Sequence, residues 1–347
     1  MTVVTSDAAV AGYGNYDEYI DRLRDAGVTV YRCDSLFARD LALNLRVLEL
    51  LRCRIDAEDV DVVHAHAGVP ALVGRLFAGH LPSPVPVVQT QHGWGTNKTP
   101  PQEAADLAML CDVDRVIATS GATRDLLVRR RVPAWNITVI PCGLPDAPLP
   151  SADEARRQLA PLRERGVRVI GCIGSVTPNK NQRLLVEALA ALADEDMVAV
   201  FVGEDGDALM PVAAAAGVAD RVLTCGYQRE AARWLPLMDL LVLPSRTEGQ
   251  GLAVLEAFRA GVPVVASHIP ALAELISHGH DGFLFEPDNA AALAACIRAA
   301  LALPTSVRDV LVAAAHRRFL DEYTLDRMVA RHEALYAQVA MRVEVNS

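Results

Sequence analysis

Glu248 and Glu256 form an E-x7-E pair around a glycine-rich turn, Gly249-Gln250-Gly251. The turn follows an apolar strand, Leu240 to Leu243, and the short loop Pro244 to Thr247. It opens a helix that Gly261-Val262-Pro263 ends. Such a turn leaves backbone N–H groups free at a helix N-terminus, where an anion is favoured. The flanking acids cannot attract that anion. A carboxylate accepts hydrogen bonds from vicinal hydroxyls instead, which points to a sugar. Two solvated acids on a capped surface helix would show the same spacing. A second loop, Gly174 to Lys180 (GSVTPNK), sets a glycine for close backbone approach beside Lys180, a compact charge able to reach a pyrophosphate. Only two of the 33 basic residues are lysines, Lys98 and Lys180, and both fall in loops. His92 lies in the loop after the strand Val85 to Gln89, where an imidazole can hydrogen-bond a ligand or cap the strand end.

Positioning these loops requires a scaffold of alternating strands and helices. Strands are expected at 2–5, 28–31, 61–66, 85–89, 115–119 and 137–140, then at 167–173, 198–202, 221–224, 240–243, 264–266 and 283–285. Helical spacing fills 16–24, 41–51, 69–76, 121–128, 182–192, 208–216, 231–238, 290–302 and 307–319, with a long amphipathic run at 325–339. This alternation implies parallel βαβ units and doubly wound sheets, an α/β protein. Every loop singled out above follows a strand, on the side where open α/β sheets bind ligands. A proline-bearing block with a charged helix, 147–165, places the interdomain crossing. The expected domains are 1–160 and 161–322, with 323–347 a helix crossing back to the first.

Composition narrows the function further. The 347 residues are 52% apolar and 5% aromatic, with a net charge of −10. An acidic chain without a basic stripe argues against nucleic acid as a partner. The seven cysteines are scattered and never form C-x-x-C, which reads as reduced and cytoplasmic, with no disulfide framework and no zinc site. Arg129-Arg130-Arg131 after an amphipathic helix is a weak membrane signal that a solvated helix end explains as well.

The segment from Leu240 to Ala266, with Pro244-Ser245 ahead of the glutamates and Gly261-Val262-Pro263-Val264-Val265-Ala266-Ser267 behind them, resembles the donor site of family 4 retaining glycosyltransferases. The resemblance covers nearly the whole chain and is strongest from Gly171 to Pro287. It implies the GT-B fold, two Rossmann-like domains facing a cleft. It also implies transfer of a hexosyl-type sugar from a nucleotide-diphosphate donor with retention, without a bound metal or other cofactor. By resemblance Glu248 contacts the transferred sugar and Glu256 the ribose. The amides of Gly249, Gln250, Gly251 and Leu252 fall to the phosphates. His92 then lies near the reacting sugar carbon. Gly174, Ser175 and Lys180 serve the diphosphate, Gly203 forms a tight turn, and Gly226-Tyr227 meets the base.

Two departures stand out. Ser175 occupies a place where the family commonly has arginine, and Arg246 is the candidate substitute. The chain also begins on what resembles the family's second strand, so one strand–glycine loop–helix unit of ~30 residues is expected to be absent. Ala11-Gly12-Tyr13-Gly14 is not that loop, and the first sheet is expected to lack its central strand or fill its place differently. The acceptor is unidentified, a glycan, a lipid or a small molecule, with peripheral membrane contact the weaker expectation. The alternative is a catalytically impaired nucleotide-sugar-binding protein or partner subunit. Ser175 and the absent unit favour it, and Glu248, Glu256, His92 and Lys180 disfavour it.

Overall fold

The computed structural model describes residues 1–6, 17–33, 38–95, 98–149 and 151–346. The chain divides into two units, Met1–Ile140 with Ala330–Ser347, and Pro141–Val329. The first break precedes the expected boundary at residue 160. The reason is the helix Asp153–Glu164, whose Ala155 and Leu159 are buried in the core of the second unit beside Val167 and Leu235. The second break falls inside the last helix, Leu325–Asn346, rather than ahead of it.

In the first unit the strands are β1 (Thr2–Ser6), β2 (Thr29–Cys33), β3 (Val63–His66), β4 (Val87–Gln91), β5 (Arg115–Ala118) and β6 (Ile137–Val139). All pair in parallel. Among the described residues they form two sheets, β1-β2 and β3-β4-β5-β6. The segment Ala11 to Gly14 lies outside the described residues. The helix Leu41–Arg54 sets Val47, Leu48 and Leu51 against Val73 and Phe77 of the helix Gly68–Ala78, and Val4 and Val63 pack on the same cluster.

A helix at Pro100–Asp112 has no counterpart in the expected elements, because Pro100-Pro101 reads as a breaker. Proline is tolerated in a first helical turn, where the missing N–H would be unbonded anyway. Gln102 Oε1 accepts the Thr99 amide at 3.0 Å, half of a capping box. A short helix at Pro270–Leu275 is a second unexpected element, and it too begins on a proline.

The second unit carries β7 (Arg168–Ile173), β8 (Met197–Val202), β9 (Val222–Thr224), β10 (Leu240–Leu243), β11 (Val264–Ser267) and β12 (Phe283–Phe285). They make one parallel 6-stranded sheet in the order β12-β11-β10-β7-β8-β9. Residues of β8 show why. Met197, Ala199 and Phe201 belong to one buried cluster and Val198, Val200 and Val202 to another, so alternate side chains fill both faces. Residues 231–237 wind as a 3-10 helix rather than an α-helix, with Pro236 inside the run. Pro236 has no N–H to donate.

The same device registers strands in both units. Asp114 precedes β5 and its Oδ2 accepts the Val87 amide at 2.8 Å. Asp239 precedes β10 and its Oδ2 accepts the Val169 amide at 2.8 Å. Asp239 therefore has a structural part at the amino end of the sheet, away from the loops of interest.

At the carboxyl end, Gly203 after β8 lies against the loop after β7. A Cβ on Gly203 would strike the Gly174 carbonyl and the Ser175 amide. Gly203→Ala is expected to lower stability by about 1–3 kcal/mol, through overpacking against backbone that cannot turn aside. A denaturant midpoint equal to that of the parent chain would contradict this packing.

Candidate functional site

β7 and β10 are neighbours in space, and the chain leaves them toward opposite sides of the sheet order. A crevice opens at such a switch point, beyond the carboxyl ends of the strands. The loop after β7 ends at Lys180 and the loop after β10 holds Glu248. Lys180 Nζ donates to Glu248 Oε1 at 2.7 Å. Ser245 Oγ donates to the same oxygen at 2.8 Å. The Glu248 side chain is only 9% exposed and that of Lys180 is 34% exposed. Both contacts reach Oε1, so Oε2 is the oxygen left for hydroxyl donors.

The helix after this loop is Leu252–Ala260, and no side chain caps its N-terminus. Gly251 holds the N-cap position at φ 95, a conformation that favours glycine. A Cβ there would press on Leu272. An uncapped helix start presents N–H groups and the positive end of the helix dipole. Glu256 follows on the same helix. Burial pushes its carboxyl above the ordinary range, and Arg259 and then Lys180 draw it partly back.

The neighbouring loops are stitched by backbone. The Gly203 amide donates to Gly226 O at 2.8 Å and the Val176 amide to Glu204 O at 2.9 Å. Tyr227, beside Gly226, is 53% exposed. Two residues that sequence reasoning missed shape the β7 loop. Gln182 Nε2 donates to the carbonyls of Ser175 at 2.9 Å and Gly174 at 3.2 Å. Asn181, in the left-handed region at φ 52, donates to Asp288 at 3.0 Å. An asparagine and a glutamine behind a lysine are the signal that was there to read.

Two expected donor residues have other partners. Arg246 Nε donates to Asp288 at 2.7 Å and its guanidinium also donates to the Pro178 carbonyl at 3.1 Å. It staples two loops together. Gln250 is buried, accepting the Cys142 amide at 2.7 Å and donating to the Cys142 carbonyl at 3.2 Å. Its side chain anchors the first residues of the second unit to the turn.

The second unit thus brings together Gly174, Ser175, Lys180, Gly203, Gly226, Tyr227, Glu248 and the turn to Leu252 and Glu256. His92 belongs to the first unit. It follows β4, and its Nε2 is 2.9 Å from Nδ1 of His66. Desolvation by neighbouring atoms lowers its pKa.

A parallel sheet with a lysine, two glutamates and an uncapped helix at its switch point offers a cation and amides to an anion beside carboxylates that accept from hydroxyls. Comparison with known proteins gives the family. Residues 167–302 match the family described as Glycosyl transferases group 1, and residues 2–147 match Glycosyltransferase Family 4. D-inositol 3-phosphate glycosyltransferase of Geodermatophilus obscurus is 30% identical over 311 residues, 81% of this chain and 68% of that protein. D-inositol 3-phosphate glycosyltransferase 1 of Catenulispora acidiphila is 31% identical over 271 residues, 70% of this chain and 64% of that protein. The solved structure of Anabaena HepE with UDP and glucose superposes with a TM-score of 0.80 at 19% identity, covering 97% of this chain and 100% of that one. The chain belongs to the group 1, family 4 glycosyltransferases, and its two Rossmann-like units are those of the GT-B fold. These matches span about two thirds of the length of the two inositol-phosphate relatives.

Glu256 supplies a signed test. Its folded pKa is raised, so the folded state holds the proton more tightly than the unfolded chain does. Stability then falls as pH climbs from the ordinary carboxylate range through the raised value, and the loss persists above it. Without nucleotide, Glu256→Gln is expected to melt above the parent at pH 7.5, with the gap closing toward pH 4.5. Thermal unfolding across that range checks it, and a parent that melts higher at pH 7.5 would reverse the sign.

Proposed function

We propose that the second unit binds a nucleotide-diphosphate sugar and that the protein transfers the sugar, with retention of configuration, to a glycan or lipid-linked acceptor. The Lys180–Glu248 pair at the switch point carries this reading. Lys180 and the amides of Gly251 and Leu252 are suited to hold a diphosphate. Their preorganised positive charge favours its departure, which is the electrostatic share of catalysis. The bond from the sugar's anomeric carbon to the diphosphate oxygen breaks, and its electron pair leaves with the diphosphate. The acceptor hydroxyl oxygen forms the new bond and gives its proton to the leaving group. Glu248 Oε2 accepts from the sugar hydroxyls, Glu256 from the ribose, and His92 meets the sugar. With Lys180 and the helix start offsetting the diphosphate charge, the reading calls for no resident metal or cofactor.

The non-catalytic alternative is not favoured, because the relatives that the chain resembles along most of its length are glycosyltransferases. UDP is the first base to try, since the HepE structure contains it.

Thermal unfolding with UDP, GDP and ADP in turn tests the site. A nucleotide at ~100 times its dissociation constant adds about 2.7 kcal/mol, a readable shift in midpoint. One of the three is expected to give that shift. Lys180→Ala is expected to weaken its binding by about tenfold or more, the worth of a charged hydrogen bond. No shift with any of them would sink the proposal. Once an acceptor is in hand, the anomeric coupling constant of the product by NMR decides between retention and inversion.

A further inference from the structure

The first unit assembles four histidines that the reading above leaves mostly unused. His64 and His66 stand on β3, His92 follows β4, and His332 comes from the last helix. The His64 ring is held at both nitrogens, with Nδ1 2.6 Å from the Tyr336 hydroxyl and Nε2 2.7 Å from the Thr90 hydroxyl. The His66 ring lies against it, with centroids 4.5 Å apart. On its other side His66 stacks on His92, with centroids 5.2 Å apart and planes at 18°. The same pair is hydrogen-bonded from His66 Nδ1 to His92 Nε2 at 2.9 Å.

The backbone behind His66 is strained. Ala67 has φ 81 and ψ 171, a region that glycine alone visits readily. Non-glycine residues in such conformations cluster where a side chain must be aimed. Here the neighbour aimed is His66.

We propose that His66 is a positioning residue for His92, fixing its ring and its tautomer so that Nδ1 of His92 is the nitrogen offered to a sugar hydroxyl. The last clause rests on the proposed function. The coupling itself follows from hydrogen-bond chemistry. A 2.9 Å contact between two ring nitrogens needs one N–H and one lone pair, so the two tautomers are locked to each other. Among the described residues, Nδ1 of His92 has no other partner. Neighbouring His64, His332 and Tyr336 add no carboxylate that would hold a proton on the string. Burial and the mutual effect of the rings lower His64 to about 3 and His66 to about 4, so both are neutral near pH 7. Among the described residues no group of three or more His, Cys, Asp and Glu is arranged to hold a metal ion.

The test uses the full chain labelled with 15N-histidine. Long-range 1H–15N spectra report which nitrogen of each ring is protonated. His92 is expected to show a single tautomer in the parent chain. In His66→Phe, which keeps a stacked ring and removes the nitrogen, His92 is expected to become a mixture of tautomers. His66→Asn, which returns a polar atom near the Nδ1 position, is expected to restore one tautomer. A His92 tautomer indifferent to both variants overturns the inference.

Hydrolysis of UDP-glucose or GDP-mannose gives the second arm. Where either is turned over, His66→Phe is expected to lower kcat about tenfold, with KM for the donor unchanged, as for the loss of one orienting hydrogen bond. Adding it to His92→Ala should cost nothing more, and an additive loss counts against the inference. If His92→Ala alone leaves turnover intact, the sugar-facing role of His92 fails, while the spectra still decide the coupling.

Discussion

A lysine and a glutamate meet at 2.7 Å across the switch point of the second sheet, and the rest of that unit is arranged to make them meet. Placing a carboxylate where its side chain is 9% exposed is costly unless a counter-charge and hydrogen bonds accompany it. Lys180 supplies the charge and Ser245 the second donor. Neither residue reaches the other along the chain. They come together because β7 and β10 pair in the middle of a parallel sheet while their connections run to opposite faces. The apolar strands that enforce this pairing, LLVL of β10 and the fully buried β8, are therefore as much a part of the site as the charged residues.

Local penalties gather at the same edge. The helix Leu252–Ala260 starts without a side-chain cap, and burial raises the pKa of Glu256. Asn181, Asp205 and Asp288 adopt left-handed φ values without being glycine. Each such feature disfavours the folded state modestly, and each lies beyond the carboxyl end of a strand. The opposite edge is held by side-chain hydrogen bonds. There, Asp239 caps the neighbouring strand, and Arg221 donates to the carbonyls of Leu189, Leu192, Glu195 and Met197. A stable amino edge and a costly carboxyl edge are what a sheet needs to hold loops in geometries that they would not choose alone.

The first unit solves a different problem. At its polar centre His64 and His66 are neutral near pH 7, stacked beside a tyrosine and a threonine. Tyr336 comes from the last helix and touches a histidine of β3, so a side chain 272 positions away along the chain sets the ring on which the others stack.

Much of this was legible from residue types and spacing. Short, β-branched apolar runs such as MVAVFV, ended by a glycine turn, read as strands buried on both faces, and glycines after strands mark loops that pass close to one another. Glu248, Glu256 and Lys180 could be picked out because their chemistry is wrong for a core and their neighbours are turn formers. The helix at Pro100–Asp112 was missed although its capping residues were in view, since two prolines obscured them. What the chain alone could not reveal was the destination of neutral and paired polar groups. Gln250 looks like part of a phosphate turn and spends its side chain on the peptide of Cys142. Arg246 looks like a free cation and is taken by Asp288. Gln182 looks ordinary and shapes the loop beside it. Strand periodicity and turn chemistry are local and survive in one dimension. A hydrogen bond between residues a hundred positions apart exists only once the sheet has set its strand order, so the tertiary structure alone decided which candidate side chains face the crevice and which hold it together.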